Sequence, residues 1–271
     1  MKTKTLLGPI WDFLLLGGFS ILIWPVFWLG ADSSTMNSTI DHIYPVISLC
    51  FGLPHFMLSY FIYYGSLGGR LPERSASVMI STVIPLALIL FMAYGFLQYT
   101  GENLRLVIML MFFLLGWHYV RQVFGLTILY YRRQGVELSS VRRLLHFHLM
   151  ALWVYALIIS SREPGDYIGV GYPQIPFPAF FEPLALAVLV GSGLVLGWRY
   201  AHTIRQWPPA AVLALLFSVY FWLLPEFHFG SYFLFVPIFH SFQYLGAVIP
   251  YRIGKQASKK AILIYLAAAS A

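Results

Sequence analysis

Three histidines lie well inside apolar stretches of this chain, where an imidazole is costly unless it has a partner or a task. His118 lies in the apolar run from about Leu106 to Tyr131, and His55 and His240 lie in two other apolar segments. In a bilayer such groups normally face the interior of a helix bundle and mark a functional site. Because neutral imidazole suits iron, copper, zinc and nickel, three imidazoles that meet would form a metal site.

Whether these histidines can meet depends on the segments that carry them. The chain has 271 residues, of which 59% are hydrophobic and only 10% charged, whereas a soluble domain carries roughly 25% charged residues. This composition predicts an all-α, polytopic integral membrane helix bundle. The net charge of +7 is then explained by membrane topology, and nucleic acid is not expected as a partner.

Apolar runs long enough to cross a bilayer, or nearly so, recur along the chain and are separated by short polar connections. They predict about eight transmembrane helices. The segments are roughly 8–30, 42–65, 77–98, 106–131, 144–160, 179–200, 209–225 and 229–250.

Basic residues alternate between the connections and indicate the orientation of the bundle. On one side there are only Arg105 and Arg162, beside several acidic residues. Because cytoplasmic loops carry the excess of Lys and Arg, both termini are predicted to be cytoplasmic, in a multi-pass protein of a bacterial inner membrane. The opposite side holds fourteen basic residues: Lys2, Lys4, Arg70, Arg74, Arg132, Arg133, Arg142, Arg143, Arg199, Arg205, Arg252, Lys255, Lys259 and Lys260.

In this topology the three histidines share one depth in the membrane. His55, His118 and His240 lie about 13, 12 and 11 residues below the outer ends of their segments, which agree within a few ångström at ~1.5 Å per residue. The alternative is that each histidine is an ordinary buried residue, bonded to a nearby Ser, Tyr or carbonyl. The matching depths favour a joint site near the bilayer midplane.

Side chains one helical turn from these histidines are candidates for orienting them. Gln122 follows His118 by four residues, and Tyr244 follows His240 by four, so each lies on the same helix face as its histidine. Such groups fix the tautomer of a ligating imidazole. Arg121 either binds an anionic or carbonyl group of a substrate or extends to the cytoplasmic surface.

A fourth metal ligand is not determined by the sequence. His148 is the best candidate from the fifth segment, and His228, His146 or a water are the alternatives. The lone Cys50 excludes a cysteine-based zinc or iron–sulfur site and an internal disulfide.

The chain is predicted to form one transmembrane domain over residues 1–271, with the bundle in 1–260 and an apolar tail in 261–271. The tail is too short to span and is either an interfacial helix or a truncated remnant. The loop at 161–178, rich in Gly and Pro, is expected to cover the outer mouth of the bundle. The oligomeric state is unknown.

Two short motifs, Gly52-Leu53-Pro54-His55 and Pro237-x-x-His240, resemble the Brp/Blh family of membrane β-carotene 15,15′-dioxygenases. The resemblance implies an all-helical multi-pass enzyme that holds non-haem Fe(II) with histidines and cleaves β-carotene with O₂ to retinal. Family members tend to have a second histidine four residues after the last motif, where this chain has Tyr244. The resemblance therefore implies metal ligation by His55 and His240 only.

The sequence predicts a membrane-embedded iron oxygenase that takes a lipid-soluble polyene from the bilayer. Tyr244, Gln122 and Arg121 are its candidate catalytic residues, and His55, His118, His240 and His148 its candidate metal ligands. A b-type haem protein with two axial histidines is one alternative. A non-enzymatic carrier or proton pathway through Arg121 and the histidines is the other.

Overall fold

A computed structural model describes residues 5–67, 78–98, 101–167 and 170–253. The predicted tail at 261–271 lies outside the described residues. The helices are α1 (Pro9–Phe13), α2 (Phe19–Leu29), α3 (Ser34–Leu67), α4 (Ile84–Gln98), α5 (Gly101–Gln134), α6 (Ser139–Ser160), α7 (Phe181–Thr203), α8 (Ala210–Leu223) and α9 (Tyr232–Ile253). Two π-helical turns, Leu14–Gly18 and Met79–Val83, and a 3₁₀ turn at Pro225–Phe227 complete them.

Each of the eight predicted segments contains helix in the described part of the chain, and the protein is mostly helical. Five helical stretches are long and apolar enough to cross a membrane: Pro9–Leu29, Ser34–Phe61, Leu104–Gln134, Ser139–Ser160 and Phe181–Thr203. The apolar helices Ile84–Gly95, Ala210–Leu223 and Tyr232–Val248 are shorter. The number of eight spans and the cytoplasmic termini stay predictions.

The surface of these helices is apolar, as expected of a chain that faces lipid. Leu194 on α7 is 71% exposed, Leu29 at the end of α2 is 78% exposed and Leu97 on α4 is 85% exposed. Many other large apolar side chains on these helices are also exposed, whereas soluble monomers rarely expose large apolar patches. The outward faces thus agree with an integral membrane protein.

The 161–178 loop contains a feature that the helical prediction did not include, a small β-hairpin. Strands β1 (Gly165–Tyr167) and β2 (Val170–Tyr172) pair antiparallel. The Tyr172 ring packs on Phe112 of α5, with 5.6 Å between ring centroids. An ion pair between Arg162 and Glu182 joins the loop to the first turn of α7, so the loop is attached to two helices.

The best-packed core lies between α5, α6 and α8. Val123, Leu152, Leu215 and Val219 are all fully buried, at 0% exposure. Helix α6 packs along α7, and α9 packs against α3. This arrangement brings α3, α5 and α9, which carry His55, His118 and His240, into one bundle.

A π-helical turn between α1 and α2 lets α8 approach closely. Gly17 in this turn has φ 154°, which L side chains rarely adopt. A Cβ at this position would lie 2.4 Å from the carbonyl oxygen of Ala214. The buried Gln243 of α9 donates to the Leu16 carbonyl at 2.7 Å, which satisfies a carbonyl that the irregular turn leaves free.

Candidate metal centre

The structure brings His55, His118 and His240 together, from α3, α5 and α9. One ring nitrogen of each lies within 4.8 Å of the corresponding nitrogens of the other two. The ring centroids of His118 and His240 are 4.8 Å apart, those of His55 and His240 are 5.0 Å apart, and those of His55 and His118 are 6.2 Å apart. Three histidines separated by more than 60 residues in sequence thus share one point in the bundle.

Proline precedes the histidine in two of these helices. Pro54 lies inside α3, immediately before His55, and Pro237 lies one turn before His240. Because proline cannot donate the helical hydrogen bond, it frees a carbonyl and kinks the helix. The Ser241 hydroxyl donates to the carbonyl of Pro237 itself at 2.8 Å, one turn earlier on the same helix.

The three imidazoles differ in exposure. His55 and His240 are both 3% exposed, whereas His118 is exposed. Trp117, beside His118 on α5, is 43% exposed. The triad is therefore closed by protein around α3 and α9 and open on the outer face of α5.

His240 is the histidine whose ring nitrogens are most clearly available to a ligand. Both of its ring nitrogens are buried, and neither has a hydrogen-bond partner among the described residues. Burying a polar group without a partner costs roughly 1–3 kcal/mol on protein scales, and here two such atoms belong to one ring. A metal ion bound to one nitrogen would remove part of that cost.

The spacing of the triad fits a metal ion after side-chain rotation. Imidazole nitrogens that are each about 2.1 Å from one ion in tetrahedral geometry lie about 3.4 Å apart. The three nitrogens lie within 4.8 Å of one another, so the widest pair would have to close by up to about 1.4 Å. The donor set is three imidazoles, and no carboxylate joins it among the described residues, which suits iron, copper, zinc or nickel.

Aromatic rings form the walls of this centre. The Tyr244 ring stands edge-on to His55 at 4.4 Å, and the Tyr119 ring lies 4.5 Å from His240. Trp222, 1% exposed, lies 6.3 Å from His240 on its other side. These rings exclude water from the interior side of the triad.

Two of these aromatic residues, Tyr119 and Trp222, were not predicted from the sequence to belong to the site. Tyr119 adjoins His118 in sequence, but neighbouring residues on a helix point about 100° apart. It reaches the site through His240 on α9. Trp222 lies on α8, far in sequence from the three histidines, and only the packing of α8 against α5 brings it there.

Gln122 has a different partner from the one predicted. Its Nε2 donates to the backbone carbonyl of His240 at 3.0 Å and to Oε1 of Gln243 at 3.3 Å. It therefore joins α5 to the backbone of α9 and does not bond an imidazole. Gln243 continues the network, since its own Nε2 donates to Ser218 Oγ at 3.1 Å. Both amides support the helix that carries His240.

Tyr244 also differs from the prediction made for it. It was expected to serve His240, one turn earlier on α9, but its ring lies against His55 of α3. Ser59, which shares a helix face with His55, donates to the His55 backbone carbonyl at 3.0 Å. Tyr244 and Ser59, each one turn from a histidine on its own helix, thus contact a neighbouring helix or a backbone carbonyl and not the imidazole of that histidine.

Arg121 does not extend into the triad. It donates from Nη1 to Nε2 of His146 at 2.9 Å, toward the turn that joins α5 to α6. The contact directs the guanidinium away from the triad, and its extension to the cytoplasmic surface stays a prediction. His146, one of the alternatives for the fourth ligand, is not part of the group that could hold a metal ion, and its Nε2 accepts from Arg121.

The proposal of His148 as a fourth ligand is corrected by the structure. Its Nδ1 bonds Ser192 Oγ at 2.9 Å and its Nε2 bonds the Tyr220 hydroxyl at 2.5 Å. Both nitrogens are occupied, and His148 is not part of the triad's ligand group. His228, another alternative, bonds the Trp222 carbonyl at 3.1 Å. Among the described residues, the group that could hold a metal ion therefore consists of three imidazoles.

Comparison of the chain with protein-family models, with curated proteins and with solved structures finds no match.

Proposed function

We propose that His55, His118 and His240 hold one non-haem iron ion and that the protein uses O₂ to oxidise a lipid-soluble polyene. The observation that carries the proposal is the convergence of three imidazole nitrogens within 4.8 Å of one another inside an apolar helix bundle. Catalytic metal sites typically have three protein ligands and keep a position open. Bound iron would supply the activation of O₂, which imidazole ligands with open positions suit.

The exposure pattern supports a substrate that arrives from the bilayer. His118 is exposed on the outer face of α5, where Trp117 and Phe113 are 43% and 44% exposed. A hydrophobic substrate reaches this face sideways, without crossing water. His55 and His240 anchor the ion from the interior, and Tyr119 and Trp222 keep water away from their rings.

The resemblance to β-carotene dioxygenases gives the reaction its most specific form. O₂ adds across one carbon–carbon double bond, the bond breaks, and each carbon retains one oxygen as an aldehyde. No reductant is consumed, because both oxygen atoms enter the products. For β-carotene the products are two molecules of retinal.

The arrangement of the rings favours a mononuclear site over b-type haem. Two axial histidines must leave room between them for a flat macrocycle. Here the His240 ring lies 4.8 Å from the His118 ring and 5.0 Å from the His55 ring. If any two of the three histidines were axial ligands, the third imidazole would occupy the space that the macrocycle needs.

The proposal is tested on the protein purified in lipid nanodiscs. We expect about one iron per chain by elemental analysis, no Soret band, and conversion of β-carotene to retinal with oxygen from ¹⁸O₂ in both aldehydes. His118→Ala should abolish iron binding and turnover, since it removes a ligand whose exposed position leaves packing largely unchanged.

His146→Ala is the matched control, because His146 is another histidine beside α5 whose Nε2 is bonded to Arg121. It should keep iron and turnover. A Soret band would favour the haem alternative. A protein that contains neither metal nor haem would favour a carrier or proton pathway.

A further inference from the structure

We propose that a second site, separate from the histidine triad, binds an uncharged single-ring molecule through one carbonyl oxygen. The site is a cavity of about 220 Å³ between α5, α6, α7 and α8. We call it the four-helix cavity and define it by Thr127, Tyr131, Leu145, His148, Tyr200 and Leu216.

The lining fixes the charge of the ligand. Leucine, valine, glycine and proline make up most of it, and it contains no Asp, Glu, Lys or Arg among the described residues. A charged ligand would lose its hydration with no opposite charge to replace it, which costs several kcal/mol per ion. The occupant is therefore neutral and mainly apolar.

The size limits the occupant to about one ring. The volume of about 220 Å³ exceeds that of an engineered apolar cavity of roughly 150 Å³ that binds benzene. It is smaller than the roughly 300–1,000 Å³ of sites that hold drug-sized ligands. A substituted six-membered ring fills a space between these limits.

Two polar groups of the lining, His148 and Thr127, have no donor left for a ligand. The Ser192 hydroxyl donates to the Leu189 carbonyl at 2.9 Å, so it accepts from Nδ1–H of His148. Nε2 of His148 bonds the Tyr220 hydroxyl, so both nitrogens of the ring are occupied. Thr127 donates to the Val123 carbonyl at 2.8 Å.

The pair Tyr131 and Tyr200 has one donor left. Their hydroxyl oxygens are 2.7 Å apart, so one hydrogen is shared between them. The second hydrogen has no acceptor among the described residues. Both tyrosines line the four-helix cavity, and Tyr131 is 3% exposed. The cavity thus offers one hydrogen-bond donor in an apolar surround, which matches one carbonyl oxygen on an apolar ring.

Two glycines on α7 give the site its space and its entrance. A Cβ on Gly193 would lie 3.1 Å from Cε1 of His148, so glycine lets the helix approach that ring. Gly197 also lines the cavity, is exposed, and has open space where a Cβ would be. A ligand can enter from the lipid side past Gly197.

The experiment uses the full chain in nanodiscs and three fluorinated probes observed by ¹⁹F NMR, with empty nanodiscs to subtract partition into lipid. We expect saturable binding of 4-fluoroacetophenone. Binding of 4-fluoroethylbenzene, which lacks an acceptor, should be about tenfold weaker, as one hydrogen bond predicts. 4-Fluorobenzoate should not bind.

Variants locate the binding. Gly197→Phe fills the entrance and should abolish saturable binding. Gly191→Phe is the matched control, since Gly191 is also on α7 with open space beyond its Cα but does not line the cavity. Tyr131→Phe with Tyr200→Phe removes both hydroxyls together and should reduce acetophenone binding to the ethylbenzene level, while ethylbenzene binding is unchanged.

The proposal is overturned if 4-fluoroacetophenone shows no saturable binding, if Gly197→Phe leaves its binding intact, or if benzoate binds as well as the ketone. Equal binding of the ketone and ethylbenzene overturns the role of the hydroxyl pair. Helical circular dichroism and the melting temperature of each variant verify that a loss of binding is not a loss of fold.

Discussion

Two buried histidines of this protein, His240 and His148, have opposite surroundings. His148 has a partner on each ring nitrogen, Ser192 at 2.9 Å and Tyr220 at 2.5 Å. His240 is more deeply buried, at 3% against 8% exposure, and neither of its nitrogens has a hydrogen-bond partner among the described residues. Two other imidazoles face it instead.

The difference separates a structural histidine from a ligand. A buried polar group that is fully bonded stabilises the fold and has no lone pair left for an ion. A buried imidazole with unoccupied nitrogens, beside two further imidazoles, destabilises the fold by a few kcal/mol unless something binds them. Burial alone does not distinguish the two cases, but the partners do.

The largest expected effect is that substitution of a triad histidine removes the bound metal, whereas substitution of His148 does not. His118→Ala or His55→Ala should reduce bound iron from about one per chain to near zero, because two imidazoles do not complete the site. His148→Ala should keep the metal, because that ring bonds Ser192 and Tyr220 instead. Elemental analysis of purified protein measures this. Loss of iron from His148→Ala would contradict the conclusion that His148 is a structural histidine and not a ligand.

The second effect is stabilisation by added metal. A ligand at about 100 times its Kd stabilises the native state by roughly 2.7 kcal/mol, so Fe(II) added to metal-free protein should raise its melting temperature. The increase should vanish in His240→Ala and persist in His148→Ala. An equal increase in both variants would mean that iron binds elsewhere.

The third effect is on the stability of the metal-free protein, where substitution of His148 should be more harmful than substitution of His240. His148→Leu leaves the Tyr220 hydroxyl without its acceptor, which should lower the free energy of unfolding by about 1–3 kcal/mol. His240→Leu replaces two unpartnered polar atoms by apolar ones, so stability should be unchanged or higher. Melting temperatures in the presence of a chelator test this. A similar loss in both variants would contradict the distinction.

The smallest effects are expected at the residues that support the triad. Tyr244→Phe keeps the ring against His55 and should keep iron, with turnover lowered roughly tenfold, at the low end for groups that orient metal ligands. Gln122→Leu removes a bond to the His240 carbonyl and should cost about 1 kcal/mol of stability. Complete loss of iron in Tyr244→Phe would make the phenol a ligand.

Sequence reasoning grouped the three histidines by their depth in a membrane, which can be read along one dimension. With the helix directions predicted from the basic residues, His55, His118 and His240 could be compared by counting residues from the segment ends. The helices begin at positions other than those expected, α3 at Ser34 and α5 at Gly101. Counted from the observed starts the depths no longer match, and the packing of α9 against α3 and α5 brings the histidines together.

The same reasoning failed for the residues around the triad because their partners lie on other helices. Helical spacing indicates which side chains share a face, but not what the face contacts. Gln122 bonds the backbone of α9, and Tyr244 meets a histidine of α3. His148 looked like a ligand from its depth, and only Ser192 and Tyr220 show that its nitrogens are occupied.

The sequence by itself determined a mostly helical chain with helices long and apolar enough to cross a membrane, and it singled out the three histidines that meet, because apolar length and residue type along a helix are local properties. The tertiary structure alone decided which imidazoles keep their nitrogens available, which aromatic rings enclose them, and that a neutral cavity lies between α5 and α8. These depend on the rotation and approach of whole helices, which are set by packing such as that of Gly17 against Ala214.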